Sequence, residues 1–238
     1  MPITPSDPFF WRHYEGEIIL LCVRWYLSLP LSYREMATIM AERGLPIHAS
    51  CIWRWVQIYG PGLDKRCRPH LKPTNQSYRV DETYINVRSR DRYLYRAVDS
   101  TGQTIDFLLT AKRDAASAKR FFRKVFLTSA TVQPRVINVD RNPAYPVAVE
   151  QLKQDGTVRR RCRVRHCKYL NNIVEQDHRT VKRRVWLAMG YGSFRSAWRT
   201  LRGIEAISMI RKGRARWVAK TDPKGQARFI NRLFQIAA

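Results

Sequence analysis

The sequence predicts an α/β protein in which a mixed β-sheet carries helices on both faces and follows an all-α segment. Helical spacing of apolar residues occupies the first 60 residues, and strand-like alternation begins after Ser77. Three consecutive strands are then followed by alternating helices and strands, which is typical of a mixed sheet. The chain has 238 residues, a length that suits one medium domain and a small one.

The N-terminal segment contains three predicted helices. The first covers residues 16–29. Ser32 and Glu35 form the sequence of a capping box at the start of the second helix. The third helix is expected to start near Ala49 and to stop at residues 60–62, Gly-Pro-Gly.

These helices, with a tight turn between the last two, predict a helix-turn-helix domain over residues 1–60. The last helix of such a unit enters the major groove of DNA, and its outward side chains are expected to be Ser50, Arg54 and Gln57. The alternative is a three-helix packing module without a DNA contact. Residues 61–77 are rich in proline, lysine and arginine and are expected to form a basic linker.

The second domain begins with three predicted strands, over residues 78–87, 92–99 and 104–110, and a tight turn over 99–102 joins the last two. The elements expected after them are a helix over 114–127, a strand over 135–139, a helix from Asn142 to about Lys153, a weak strand near 157–164, a helix through Trp186 capped by Asn171 or Asn172, and a helix from Ser193 to about Lys212. The order β-β-β-α-β-α-β-α is that of a ribonuclease H-like fold, here over residues 78–212. Residues 213–238 are expected to form a basic C-terminal tail.

Positive charge is concentrated in the last third of the chain. Lysine and arginine number 44 against 19 aspartates and glutamates, for a net charge of +25. Residues 156–238 carry 21 of these basic residues and only four of the acidic ones. Because 33 of the 44 are arginine, which binds phosphate bidentately and stacks on bases, nucleic acid is the expected partner.

Several other classes of protein do not fit the sequence. It has no stretch of about 18 apolar residues and no secretory signal pattern, so we expect a cytoplasmic protein without a membrane partner. A glycine-rich phosphate loop is missing, which argues against a nucleotide cofactor. The five cysteines are irregularly spaced, as in a reducing compartment, and the spacing of Cys162 and Cys167 does not match a common zinc module.

Three acidic residues occupy positions that suit catalysis. Asp81 lies in the middle of the first strand, Asp140 ends the fourth strand, and Glu175 lies in the first turn of a later helix. The first and fourth strands are neighbours in this fold, so the two aspartates are expected side by side with the helix of Glu175 across them. Such clusters bind hard divalent cations, and two ions about 3.5–4 Å apart serve phosphoryl displacement. Alternation places Glu82 on the sheet face opposite Asp81.

The spacing D-x58-D-x34-E, with Lys182 seven residues after the glutamate, resembles that of the DDE transposases of bacterial insertion sequences, and most closely the insertion-sequence-six family. The resemblance extends from about Tyr14 to Arg216. It is carried by the segments SYREMATIMAERG, WRWVQIYG, VDETYINV, YLYRAVDSTG, NPAY, NNIVEQDHRTVKRR and GIEA..MIRKG.

The resemblance implies a DNA transposase in which Asp81, Asp140 and Glu175 hold two Mg²⁺ or Mn²⁺ ions. It also implies that Lys182 holds DNA near the site. The expected DNA-contact residues on the same helix are His178, Arg179 and Arg183, and helical geometry places the first two beside Lys182 and Glu175.

The implied substrates are the terminal inverted repeats of the element and target DNA, which are cleaved and joined. Pairing of two ends implies at least a homodimer on DNA, associated with the bacterial nucleoid when bound. Two alternatives remain open from the sequence. One is a ribonuclease H-like nuclease that cuts without joining, and the other is a catalytically inactive helix-turn-helix DNA-binding protein.

Overall fold

A computed structural model describes residues 8–9, 12–128, 131–140, 142–167, 172–187 and 190–236, and for residues 172, 173, 176, 177, 180, 186 and 187 it describes the backbone only. The chain divides into two compact units, which we call the sheet unit (residues 71–194) and the helical unit (residues 1–70 and 195–238). Within the described residues, no helix is both long enough and apolar enough to cross a membrane.

The elements follow one another in an order close to the predicted one. They are α1 (Gly16–Ser28), α2 (Tyr33–Ala41), α3 (Ala49–Cys67), a short 3₁₀ helix (Arg68–His70), β1 (Ser77–Val87), β2 (Arg90–Asp99), β3 (Thr104–Thr110), α4 (Ala115–Leu127), β4 (Val136–Val139), α5 (Ala144–Gln154), β5 (Arg163–His166), α6 (Asn172–Leu187), α7 (Phe194–Arg211) and α8 (Pro223–Leu233). The alternative cap Asn171 lies outside the described residues.

The sheet unit contains a five-stranded sheet in the order β3-β2-β1-β4-β5. Strands β1, β2 and β3 are antiparallel neighbours, whereas β4 runs parallel to both β1 and β5. This mixed order confirms the predicted fold class. It also places the first and fourth strands side by side, as the argument for the paired aspartates requires.

Alternation along β1 sends its side chains to two different helical layers. Tyr78 and Val80 are buried in the core that α4 and α5 complete. Thr83, Ile85 and Val87 are buried on the other face, where α6 packs on the strand. The two layers therefore meet the same strand from opposite sides.

The turn between β2 and β3 forms as predicted. The amide of Gly102 donates to the carbonyl oxygen of Asp99 at 3.0 Å, and Gly102 has a φ of +81° that suits glycine. The Asp99 carboxylate accepts hydrogen bonds from the amides of Thr101 and Gln103 at 2.9 and 3.0 Å, which holds the turn closed.

The helical unit contains the predicted capping box at the start of α2. The amide of Glu35 donates to Ser32 Oγ at 3.1 Å, and the amide of Ser32 donates to the Glu35 carboxylate at 2.6 Å. Both bonds satisfy backbone groups that a helix start leaves open.

Helix α3 continues beyond the predicted stop at residues 60–62 and ends at Cys67, so seven residues of the expected linker are helical. Gly60 serves a close approach instead of a stop, because an added Cβ would lie 3.2 Å from the carbonyl oxygen of Arg199 in α7. Asp64 then connects the last part of α3 to the 3₁₀ helix and to α7. It is buried, and its carboxylate accepts from Arg68 at 2.9 Å and from Arg202 at 2.7 Å.

The division of the chain also differs from the predicted boundaries after residue 194. Helix α7 groups with the N-terminal helices and not with the sheet. The expected tail contains α8, which is attached to α3 through an aromatic cluster. The ring of Phe9 stacks on that of Tyr59 at 5.0 Å and lies 6.0 Å from that of Phe234. The apolar positions of α8 are few among its basic residues, which is why the composition suggested a tail.

Candidate active site

The register between β1 and β4 brings two of the predicted acids together. Arg79 pairs with Asn138, and the same offset places Asp140 opposite Asp81 just beyond the end of β4. Asp81, Glu82 and Asp140 each offer a carboxylate oxygen, and these oxygens all lie within 4.8 Å of one another. We call these three residues the acidic cluster.

The electrostatics of the acidic cluster are most visible at Asp140. Burial raises the pKa of Asp140 above its ordinary value, and the negative charges of Glu82 and Asp81 raise it further. A hydrogen bond from the amide of Asn142, 3.0 Å from Asp140 Oδ1, and the positive charge of Arg113 oppose this rise. The protein therefore holds the ionised carboxylate in a place that disfavours its charge, which a bound cation would relieve.

Glu82 has a different environment within the same cluster. Its side chain is only 3% exposed, and it forms an ion pair with Arg113. The hydroxyl of Tyr145 donates to one of its oxygens, and Asn142 Nδ2 donates to the other at 3.1 Å. Three protein groups thus neutralise and satisfy this carboxylate.

The predicted alternation explains which helix each acid reaches. Glu82 contacts Tyr145 of α5, whereas Asp81 lies 3.4 Å from His178 Nε2 of α6. The predicted alternation does place these two side chains on opposite faces, but it does not predict that Glu82 belongs to the acidic cluster. Asn142 connects two members of the acidic cluster, because its backbone amide donates a hydrogen bond to Asp140 and its side chain donates one to Glu82.

Helix α6 packs on β1 through Val174, His178 and Val181, all buried. Glu175 is exposed in the first turn of this helix, and it is not among the three residues whose oxygens cluster. The expectation that His178 contacts DNA needs correction, because its ring is 4% exposed and lies against Asp81.

The other predicted DNA contacts of α6 are accessible. Arg179, Lys182 and Arg183 are exposed along the same helix. They lie on the side that the buried valines leave free, so the helix presents basic groups to solvent while its apolar face covers the sheet.

The predicted contacts of α3 differ among themselves. Arg54 is exposed and Ser50 is partly exposed, with the Ser50 amide donating to His48 Nδ1 at 3.2 Å in the helix cap. The outward placement of Gln57 needs correction, because it is 6% exposed and donates to Thr200 Oγ1 of α7 at 2.9 Å. Trp53, next to Arg54 in the chain, is 44% exposed.

The donor set of the acidic cluster fits a hard divalent cation. Asp81 and Asp140 are partly exposed and offer carboxylate oxygens, the ligands that Mg²⁺ and Mn²⁺ prefer. A zinc site with cysteine ligands has no such support. Cys162 is buried in the apolar core, where burial raises the pKa of its thiol to about 11 and disfavours the thiolate that zinc requires.

Comparison with known proteins identifies close relatives. A family model described as a DDE domain matches residues 75–214. Two transposases of Staphylococcus aureus, one for the insertion sequence-like element IS431mec and one for the insertion sequence element IS257 in transposon Tn4003, are each 36% identical over 206 residues, which is 86% of this chain and 88% of theirs. Among solved structures, the catalytic core domain of BIV integrase matches with a TM-score of 0.42 and 16% identity over 59% of this chain and 86% of that chain.

Proposed function

Because the chain belongs to the insertion-sequence-six family of DDE transposases, we propose that it binds the terminal inverted repeats of its element, cleaves DNA there and joins the freed end to target DNA. The transposase function itself follows from the family. The substrates, the residues and their roles are the proposal.

The observation that carries the site assignment is the pairing of Asp81 with Asp140 across β1 and the end of β4. Two carboxylates that lie this close need a counter-charge. Arg113 supplies part of one, because its Nη2 pairs closely with Glu82 and at a longer 3.8 Å with Asp140 Oδ2. We therefore assign the metal to Asp81 and Asp140.

Glu175 is proposed as the third ligand on the resemblance and on its helix. Helix α6 is fixed on β1 beside Asp81 by His178, and Glu175 lies one turn before that histidine on the same helix. Mg²⁺ or Mn²⁺, two ions per site, supplies activation of a hydroxyl nucleophile and stabilisation of the leaving oxygen when bound.

The residues of this chain then perform two tasks. Asp81, Asp140 and Glu175 would hold the metal, which would supply positive charge to the reacting phosphodiester. Asn142 keeps Asp140 in position through its amide hydrogen bond. Water is the nucleophile of the first in-line displacement and leaves a free 3′ hydroxyl, which attacks the target strand in the second, so no covalent bond between protein and DNA forms.

DNA is held on two surfaces in this proposal. Arg179, Lys182 and Arg183 of α6 contact the strand near the site, because their guanidinium and ammonium groups are exposed on one helix. On α3, Ser50 and Arg54 read the inverted repeat. Two ends must be brought together for joining, so the active form on DNA is at least a homodimer, acting at the bacterial nucleoid in the cytoplasm.

The test is a strand cleavage and joining assay on DNA that carries the ends of the element. Joined products that require Mg²⁺ or Mn²⁺ and disappear in EDTA and in Asp140→Asn are the expected result. Cut ends without joined products would favour the nuclease alternative. Tight, metal-independent binding of the ends without any product would favour the inactive DNA-binding protein.

A further inference from the structure

We infer that the C-terminal part of the helical unit holds an additional DNA-binding site, which takes unpaired bases of a DNA strand. The inference rests on the proposed function for its class of ligand, but it shares no residue with the acidic cluster or with the DNA contacts proposed above. The residues of this site, called the Trp217 site, are His70, Trp217, Lys224, Arg228, Phe229 and Arg232.

Trp217 is exposed to solvent and has a strained backbone conformation. Its side chain is 80% exposed, and its φ of +62° is in the left-handed region that non-glycine residues avoid. Its neighbours are nevertheless anchored, since Ala215 and Val218 are buried and the amide of Arg216 donates to the carbonyl oxygen of His70 at 2.8 Å. A strained, fixed and exposed aromatic residue is a candidate for ligand binding.

Helix α8 places a line of positive charge beside this tryptophan. Lys224, Arg228 and Arg232 are exposed at intervals of four residues, so they lie on one side of the helix. Like charges at this spacing destabilise a helix. The helix is attached through Ile230 and Phe234, which are buried, so the basic side is not needed for packing and remains available to phosphate groups.

Aromatic rings and basic groups surround one cavity of about 470 Å³ in this part of the unit. Trp217, Arg228, Phe229 and Arg232 are among its lining residues, and the ring of His70 lies 6.0 Å from the rings of both Trp217 and Phe229. The lining includes one carboxylate, that of Asp222, whose Oδ1 caps α8 by accepting from the amide of Gly225 at 2.8 Å. The side chains that line the cavity therefore carry more positive than negative charge.

The chemistry favours unpaired bases over an intact duplex. A base inside a duplex has both faces covered by its neighbours, whereas an unpaired base can stack on an exposed aromatic ring. Single-strand sites combine such rings with a basic groove for the backbone. Hydrolysis of one strand only nicks the duplex, but transfer of the freed strand end to target DNA separates nucleotides near the cut from their complement, so a ligand of this class arises in the proposed reaction.

The test measures binding of the full-length chain, in EDTA, to a labelled oligothymidylate of about 12 nucleotides, a length within the range that single-strand sites cover. An abasic strand of equal length is the control ligand. Trp217→Ala should weaken binding of the thymidylate about tenfold, since one stacked base contributes on this scale, and should leave the abasic strand unaffected. Trp217→Phe, which keeps a ring, should retain most of the affinity and also guards against a folding defect.

A paired substitution tests the basic side of α8. Arg228→Gln with Arg232→Gln should reduce the slope of log affinity against log salt by about 1–2 for either strand. Lys65→Gln, which removes an exposed charge from α3, should leave the slope nearly unchanged.

Wild-type affinity of Trp217→Ala for the thymidylate would overturn the inference, as would an equal loss for the thymidylate and the abasic strand. A blunt duplex that depends on Trp217 as strongly as the single strand does would contradict the choice of unpaired bases. The assay needs neither metal nor element ends nor joining. Its failure therefore leaves the proposed transposition chemistry standing, and loss of that chemistry leaves this assay interpretable.

Discussion

Asp81 and Glu82 are neighbours in β1, but the protein treats their charges in opposite ways. Glu82 is buried and satisfied by Arg113, Asn142 and Tyr145. Among the described residues, the group that faces the Asp81 carboxylate is His178 Nε2, 3.4 Å away. Asp140 accepts a hydrogen bond from the amide of Asn142, while Arg113 lies 3.8 Å away. Carboxylates within one cluster can therefore have different roles. Glu82 organises the protein around it, whereas Asp81 and Asp140 remain open to a ligand.

The largest expected effect comes from substituting the proposed metal ligands. Asp81→Asn, Asp140→Asn and Glu175→Gln should each reduce cleavage of element ends by at least about 10³-fold, because each removes a group that acts in the transition state. End binding, measured by gel shift, should stay nearly intact because phosphate contacts supply most of the affinity. Cleavage that persists in one variant would remove that residue from the proposed triad.

The next largest effect comes from disrupting the ion pair and hydrogen bonds of Glu82. Glu82→Gln should lower the free energy of unfolding by about 1–3 kcal/mol, because Arg113 and Tyr145 lose the charge that they were arranged to meet. Urea denaturation followed by circular dichroism measures this change. Tyr145→Phe, which removes one of the three donors, should cost about 1 kcal/mol. Unchanged stability in both variants would show that the network around Glu82 does not hold the site together.

Stabilisation by divalent metal should distinguish the proposed metal ligands from the residues that surround Glu82. Mg²⁺ at 100 times its dissociation constant should raise the free energy of unfolding of the wild type by about 2.7 kcal/mol. The increase should disappear in Asp140→Asn and persist in Tyr145→Phe, since only the first loses a proposed ligand. Thermal melts with Mg²⁺ and with EDTA provide the measurement, and equal stabilisation of both variants would contradict the assignment.

The smallest effect is a pH dependence in metal-free protein. Burial and the charges of Glu82 and Asp81 raise the pKa of Asp140 in the folded state, so the folded state binds the proton more tightly than the unfolded state. Wild type should therefore lose stability relative to Asp140→Asn as pH rises from the ordinary range of an aspartate through the raised pKa. Melting temperatures of both proteins in EDTA across this range test the sign, and a relative gain by the wild type would contradict it.

The sequence was sufficient for the first four strands, because alternation and the short apolar run of β4 are local signals, whereas β5 (Arg163–His166) begins later than the strand expected near residues 157–164. The pairing of β1 with β4 followed from the fold class, and with it the placement of Asp81 beside Asp140. The role of Glu82 could not be predicted, since its partners Arg113 and Tyr145 come from distant segments whose approach depends on packing.

The helical unit was harder to predict for a related reason. Gly60 suggested a helix end, but its function is the close approach of α7, a contact between residues about 140 positions apart. Gln57 was expected outside for the same reason, since α7 covers that side of α3. Helix α8 was missed because basic composition obscured Ile230 and Phe234, which attach it.

The central claim, that Asp81 and Asp140 bind the metal while Glu82 organises the protein around them, is tested most directly by Mn²⁺ binding followed by electron paramagnetic resonance. Wild type and Tyr145→Phe should bind Mn²⁺ with similar affinity, and Asp81→Asn and Asp140→Asn should each weaken binding by at least about tenfold, as loss of a charged ligand does. Wild-type affinity in either aspartate variant would contradict the account.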